Sequence, residues 1–153
     1  MSSEENEIRA ILILEVIGRP PQHLKETLEK LIDNMDKEKG VEVKEKKINE
    51  PMEIKDKKDL YTTFAEVEVE VKSILHLAML MFKYMPAHIE IISPENLMLS
   101  NNSIGEIFSE IIRRLHGYDE IAMIIQAEKK VLEQKLRALL EEKEKSGKEE
   151  KNH

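Results

Sequence analysis

The most apolar stretch of the chain runs from Ile8 to Ile17, where almost every position is apolar. A strand covered on both faces has this pattern, whereas a half-exposed strand alternates between apolar and polar residues. Gly18 and the two prolines after Arg19 end the run, and a proline suits the first turn of a helix, where a missing N–H costs nothing. Apolar residues then recur at helical spacing as far as Met35. The pattern predicts a central strand followed by an amphipathic helix that packs on the sheet.

Three more strands and a second helix follow. Residues 41–48 are weakly apolar and rich in lysine and glutamate, which is typical of an edge strand, and residues 61–71 alternate with a period of two. Residues 87–92 form a last short apolar run. Between the last two of these strands, a helix is predicted over residues 74–85 with Ser73 as its N-terminal cap. Because the helix is apolar on several sides, we expect it to contact something besides the sheet. Its predicted inward stripe is Ile74, Leu77, Ala78, Met81 and Met85.

The order strand, helix, strand, strand, helix, strand predicts an α+β fold, a ferredoxin-like βαββαβ sandwich over residues 1–100. Right-handed crossovers place the first and third strands in the middle of an antiparallel sheet. Residues 49–60, between the second and third strands, are predicted to form an exposed loop.

Residues 101–146 are predicted to form an extension of two additional C-terminal helices. Ser103 and Glu106 have the spacing of a capping box at the start of the first helix, and Gly117 is expected to end it. The last helix is the long one and carries an imperfect apolar seam. Glu128 and Lys135 interrupt a strict heptad in that seam, so a two-stranded coiled coil is only weakly indicated.

The tail, residues 147–153, is almost entirely polar and charged and is predicted to be disordered.

One face of the predicted sheet combines apolar residues with carboxylates, and such a face needs a cover. The C-terminal helices can cover their own sheet or that of a partner, and the pattern leaves both possibilities open. We predict a homo-oligomer, most simply a dimer, with an interface formed by the second helix and the last helix. The predicted interface residues are Leu75, Met79, Phe82, Ile121, Ile125, Leu132 and Leu139.

Composition narrows the classes of function. The chain is 41% apolar and 36% charged and has no cysteine, which excludes disulfides and thiolate sites. A net charge of −7 argues against a nucleic-acid partner. No apolar run is long enough to cross a membrane, and the acidic first residues lack the features of a signal peptide, so we expect a cytoplasmic protein. The bias towards lysine and glutamate favours a thermophilic source.

The carboxylates on the uncovered sheet face allow two interpretations. They could bind a metal ion, or they could form ion pairs with Arg113, Arg114 and the lysines of the last helix. We favour the ion pairs, and therefore predict no metal site, because alternate glutamates on one strand are about 7 Å apart and cannot all reach one ion. No catalytic motif and no cofactor motif is present. The side chains considered as metal ligands on this sheet face are Glu15, Glu66, Glu68, Glu70, His88 and Glu90.

The loop after the first strand is the candidate ligand site. Gly18, Arg19 and Gln22 lie where a strand meets a helix N-terminus, a place that can hold an anion, although a plain tight turn also explains the sequence. The stretch from Leu14 to Pro20 resembles the opening of an ACT domain, and the whole chain resembles small uncharacterised archaeal proteins. The ACT resemblance implies that the protein binds an amino acid or another small effector, such as a nucleotide.

Two hypotheses for function result. The first is a non-enzymatic, self-associating structural or regulatory protein whose C-terminal helices form the interface. The alternative is an ACT-like module that binds a small-molecule effector.

Overall fold

The structure is a computed structural model that describes residues 7–152. The chain divides into two compact units, Met1–Ile107 and Phe108–His153. Residues 1–6, which belong to the acidic stretch considered above, and His153, the end of the predicted tail, lie outside the described residues.

The first unit has the α+β architecture that the sequence predicts. Its elements follow the order β, α, β, β, β, α, β, with a very short extra strand in third position among the strands. They are β1 (Ile8–Gly18), α1 (Pro21–Asp36), β2 (Val41–Ile48), β3 (Met52–Glu53), β4 (Tyr61–Val71), α2 (Ile74–Tyr84) and β5 (His88–Ser93).

The sheet is antiparallel, with the order β2-β4-β1-β5 and with β3 paired to β4. β1 and β4 pair over eleven positions, from Ile8 opposite Val71 to Gly18 opposite Tyr61. The two long strands therefore occupy the middle, as predicted for a ferredoxin-like fold. β3 is the one addition, because the segment predicted as a loop contributes two residues to the sheet.

The core lies on one face of this sheet. Alternate residues of β1 and β4 are buried, and they pack against the apolar stripe of α1 and against α2. Strict alternation on the two central strands places one complete set of side chains on the helix side. The core residues are Ile8, Ala10, Leu12, Leu14, Ala65, Val67, Val69, Val71, Leu28, Ile32, Met35, Leu77 and Leu80.

The buried stripe of α2 differs from the prediction. Leu77, Ala78 and Leu80 are buried, whereas Met81 and Met85 are 40% and 67% exposed. Met85 ends the helix in the left-handed region, with φ of 46°, and its N–H donates to the carbonyl of Met81 at 2.9 Å. The turn towards the next strand thus directs Met85 away from the core.

A close backbone approach holds the start of α2 against the turn before β2. Gly40 has φ of +77°, and a Cβ at this position would lie 2.5 Å from the ring of His76. That ring is held in turn, because its Nδ1 lies 2.7 Å from the Oγ of Ser73. Ser73 also caps α2 by accepting from the His76 N–H, as the sequence predicts. Gly40 therefore meets both a backbone and a packing requirement.

The C-terminal region is one helix, α3 (Asn101–Lys151), so the prediction of two additional helices is wrong in this detail. Gly117 does not end it. A glycine inside a helix costs only about 1 kcal/mol relative to alanine, and the apolar pattern continues on both sides of Gly117. The first unit ends at Ile107, within α3. Across residues 7–152, no helix combines the length and the apolar character that a membrane span requires.

The two ends of α3 also differ from the prediction. Ser100, rather than Ser103, caps the helix, because its Oγ accepts from the Ser103 N–H at 3.1 Å. The helix continues through the described part of the segment predicted to be a disordered tail, as far as Lys151.

Substitution of Gly40 by alanine should destabilise the first unit by about 1–3 kcal/mol, because it combines a positive φ with a clash against the His76 ring. Gly117→Ala is the matched control, since a Cβ there has nothing within 4 Å, and it should leave the melting temperature unchanged or raise it. Thermal unfolding followed by circular dichroism measures both variants. Equal melting temperatures for Gly40→Ala and the native protein would contradict the role given to Gly40.

Candidate functional site

The main feature of the second unit is a row of large apolar side chains that remain about half exposed or more. Their exposed fractions range from 48% for Val131 to 65% for Leu132. Exposed large apolar side chains in this number mark interaction sites in folded proteins. We call the row the α3 apolar surface; it comprises Phe108, Ile112, Leu115, Ile121, Ile124, Ile125, Val131, Leu132, Leu136, Leu139 and Leu140.

The interface residues predicted on the last helix belong to this surface. Ile121, Ile125, Leu132 and Leu139 lie on α3, and each is more than half exposed. The last three are seven residues apart, which places them along one side of the helix. Exposure of these side chains is what an interface needs before it forms, and their role in an interface stays a prediction.

The predicted interface residues of α2 form a second, smaller group in the first unit. Leu75, Met79 and Phe82 are four and three residues apart and share one side of α2. Met79 is 42% exposed, and the other two are partly buried. The structure therefore places the seven predicted residues in two groups, one on each unit.

A charged cluster lies beside the α3 apolar surface near its N-terminal end. Glu110 is buried and accepts a hydrogen bond from Arg113 at 2.5 Å and another from Arg114 at 3.2 Å. Both arginines follow Glu110 by one helical turn, so the cluster is local to α3. Arg113 and Arg114 were the partners expected for the carboxylates of the sheet, and these bonds give them a partner on their own helix.

Two of the carboxylates on the sheet, Glu68 and Glu70, have cationic partners within the sheet itself. Arg9 on β1 lies 3.1 Å from Glu70 and 3.8 Å from Glu68 on β4, and Lys44 on β2 lies 3.9 Å from Glu70. Sequence analysis missed Arg9 and Lys44 as partners, although the signal was present. Arg9 alternates with the inward residues of β1 and so faces the side that carries the glutamates of β4.

Glu70, near the end of β4, also lies close to a second carboxyl group, that of Glu7. A hydrogen bond between Glu7 and Glu70 raises the pKa of Glu7 and lowers the pKa of Glu70, and Arg9 lowers the Glu70 pKa further. Because the two pKa values move in opposite directions, a proton in this hydrogen bond is held by Glu7 rather than by Glu70. The two residues border a cavity of about 180 Å³ that is also lined by Gly40, Val41, Glu42, Val71 and Lys72.

The metal interpretation of this face finds no geometric support in the part of the chain that the structure describes. Within residues 7–152, no group of three or more histidine, aspartate or glutamate side chains is arranged to hold an ion. The strand register explains the dispersion, since Glu15 lies opposite Phe64 and His88 lies opposite Ile13.

The candidate ligand residues lie around the start of α1. Gly18 is the last residue of β1, where an added Cβ would be 3.3 Å from the Leu24 side chain, and Arg19 and Gln22 are exposed. Pro20 is the N-cap and makes no side-chain cap hydrogen bond, and the Arg19–Pro20 peptide is cis. The structure therefore brings the three residues to one turn, beside a helix N-terminus that lacks a side-chain cap.

A polar groove that sequence analysis did not predict lies where α1 and α2 end. Glu38 accepts hydrogen bonds from Lys83 and from the Tyr84 hydroxyl, the latter at 2.9 Å. These two bonds lower the pKa of Glu38, while burial and the bond to Glu38 raise the pKa of Tyr84 to about 12. The partners are 45 and 46 residues apart, so no local pattern could reveal them. The groove, of about 380 Å³, is lined by Leu31, Asn34, Lys37, Glu38, Lys83 and Tyr84.

A family model matches residues 9–148, which include the whole sheet from its second residue and almost all of α3. The chain belongs to the MJ0538 family. No curated protein and no solved structure matches the chain. The matched residues therefore include parts of both units of this chain, and the family membership does not identify an ACT domain.

The contact between Glu38 and its two partners predicts a pH-dependent contribution to stability. The pKa of Glu38 is lower in the folded protein than its usual value of about 4.5, so the contribution is present above pH 4.5 and is lost as the pH falls through the folded value. Glu38→Gln should therefore be less stable than the native protein at pH 7, and the difference should shrink at pH 3.

Urea unfolding at the two pH values measures this difference. Glu29→Gln, which removes an exposed carboxylate from the nearby helix α1, controls for the loss of one negative charge. A difference between the native protein and Glu38→Gln that stays constant from pH 7 to pH 3 would contradict the assignment.

Proposed function

We propose that this member of the MJ0538 family functions by self-association, with the α3 apolar surface as its principal interface. The exposure of this surface carries the proposal. It extends from Phe108 to Leu140, over 33 residues of one helix, which corresponds to about 50 Å at 1.5 Å per residue. A helix with this much exposed apolar area gains stability when a second surface covers it.

The energetic argument rests on the size of the surface. Complete burial of a leucine or isoleucine side chain contributes about 1.5–3 kcal/mol, and each member of the surface still has about half of its area to bury. Summed over both copies, the burial of most of these side chains contributes a free energy as large as or larger than the translational and rotational cost of association, which is about 4–15 kcal/mol. Association of two copies is therefore favourable on these terms.

The residues Leu75, Met79 and Phe82 of α2 are a second proposed contact. The partial exposure of all three on one side of α2 supports it. Because these residues lie in the first unit, they would join the sheet domains of an assembly, whereas α3 would join the helices.

The proposed role is structural or regulatory rather than catalytic, and it requires no cofactor and no metal. The net charge of −7 supports a protein partner rather than a nucleic acid. The absence of cysteine and the high charge content support a cytoplasmic location.

The proposal predicts a dimer at micromolar concentration that a single charge can dissociate. Leu132→Asp should weaken the association by about a hundredfold, because burial of two aspartates replaces burial of two leucines in the interface, a change of roughly 3 kcal/mol or more. Light scattering and sedimentation measure the mass. Gln134→Asp adds the same charge two residues away, outside the surface, and should leave the dimer intact. A native protein that is monomeric at 100 µM, about a hundred times a micromolar Kd, would refute the proposal.

A second candidate function has one supporting observation. The N-terminus of α1 has no side-chain cap hydrogen bond, and the exposed Arg19 stands beside it, next to Gly18 and Gln22. Backbone N–H groups and a nearby guanidinium suit a carboxylate or a phosphate. We therefore propose, as the alternative, that this turn binds an amino acid or nucleotide effector in the manner of an ACT domain.

Thermal-shift measurements with amino acids and nucleotides test the alternative. A ligand at 100 times its Kd should stabilise the protein by about 2.7 kcal/mol, and Arg19→Ala should abolish the shift. Lys30→Ala removes a positive charge elsewhere on α1 and should retain it. No shift with any amino acid or nucleotide would remove the effector hypothesis.

A further inference from the structure

The continuity of α3 reveals a heptad that the expected break at Gly117 concealed. From Phe108 to Leu139, core positions follow one another in steps of three and four without interruption. This is the a/d repeat of a coiled coil. The positions are Phe108, Ile111, Leu115, Tyr118, Ala122, Ile125, Lys129, Leu132, Leu136 and Leu139.

In this register the residues that interrupted the predicted seam move out of the core. Glu128 and Lys135 occupy g positions, beside the core, and Gly117 occupies a c position, away from it. Lys129, at an a position, is the one charged residue among the ten core positions. A lone lysine at an a position specifies register and number of strands, at some cost in stability.

The position of Lys129 distinguishes the possible orientations of two helices. In a parallel, in-register pair, a positions face a positions, so both lysines meet in a single layer. In an antiparallel pair, a positions face d positions, and every d position from Ile111 to Leu139 is apolar. Each lysine would then lie opposite an apolar side chain, and two layers would be disturbed rather than one. The parallel arrangement therefore carries the smaller penalty.

Charges beside Lys129 complement the parallel arrangement. Glu128 at g and Glu133 at e flank the lysine on its own helix, and the Lys129 ammonium already lies 4.0 Å from the Glu133 carboxylate. In a parallel pair, Glu128 of one helix faces Glu133 of the other, and these like charges repel each other. The two Lys129 side chains lie between these four carboxylates, and their positive charges offset the repulsion.

Lys129 also limits the number of helices. Leucine at a and isoleucine at d, as in Leu115 and Ile125, would by themselves favour a larger bundle. A larger bundle encloses its a positions more completely and would bury three or four ammonium groups. In a two-stranded coil, the long lysine stem can lie along the core while the ammonium reaches the flanking carboxylates and water.

We propose that residues 108–139 form a parallel, in-register, two-stranded coiled coil with a second copy of the chain, and that Lys129 sets the register and the number of strands. This inference rests on the proposed self-association through α3 and specifies its geometry. It places the two ferredoxin-like units of a dimer at the same end of the coil.

The absence of native cysteine allows a direct test. Leu115→Cys and Leu136→Cys each place one thiol at an a position, and under oxidation each variant alone should give covalent dimer as its major product, because facing a positions bring the sulfurs together. Glu120→Cys, at an f position on the outer side of the helix, is the matched control and should give little. Sedimentation of the reduced proteins supplies the mass independently.

The outcomes separate the geometry from self-association. A dimer in which Leu115→Cys and Leu136→Cys both fail singly, but in which Leu115→Cys cross-links when mixed with Leu132→Cys, is antiparallel, because a positions then face d positions and each Leu115 lies about 25 Å from its own copy. That result would overturn the inference and leave self-association intact. A trimer or tetramer would also overturn the two-stranded coil, and a monomer would refute both proposals.

Substitution of Lys129 tests its role in register. Lys129→Leu should tighten association by about tenfold or more and should produce oligomers larger than the dimer, because the constraint on strand number is removed. Lys130→Leu adds the same side chain at a b position and should do neither. A Lys129→Leu variant with the mass and affinity of the native dimer would contradict the role given to Lys129.

Discussion

The pairing of β1 with β4 is the constraint on which the first unit depends. Eleven consecutive residue pairs set the register of the two central strands, and this register puts Ala10, Leu12, Val67 and Val69 on the same face. A slip of one residue would exchange that face with the glutamates of β4. The helices α1 and α2 cover this apolar face, and the edge strands β2 and β5 pair with β4 and β1, respectively.

The same alternation determines the chemistry of the other sheet face. Once the valines of β4 face the helices, Glu66, Glu68 and Glu70 must face away from them. The charges of Glu68 and Glu70 are offset within the sheet, since Arg9 on β1 lies opposite Glu70 and contacts both carboxylates, and Lys44 on β2 lies 3.9 Å from Glu70. Ion pairs that are partly exposed contribute little to stability. They do reduce the repulsion between Glu68 and Glu70 on the strand that the fold depends on.

In contrast to the sheet, whose apolar face is covered by helices, α3 has apolar side chains that remain exposed. It is a helix of 51 residues, and beyond Ile107 its large apolar side chains, except Ile111, remain about half exposed or more. Hydrogen bonds along the backbone can form within one helix, whereas burial of an apolar stripe requires a second surface. The proposed function follows from this asymmetry between the two units: the first buries its apolar face internally, and the second carries exposed apolar side chains from Phe108 to Leu140.

The sequence by itself determined the elements of the first unit and their order, because alternation with a period of two and apolar spacing of three and four are local signals. It also indicated the apolar stripe on α3, including Ile125, Leu132 and Leu139. It could not determine whether Gly117 ends a helix, since a glycine is compatible with both a helix interior and a C-terminal cap. Only the tertiary structure showed one continuous helix, and only this continuity brings Phe108 and Leu139 into a single heptad. Contacts between residues far apart in the chain, such as those of Glu38 with Tyr84 and of Gly40 with His76, were likewise decided by tertiary packing, because no periodicity in a sequence records which distant residues will meet.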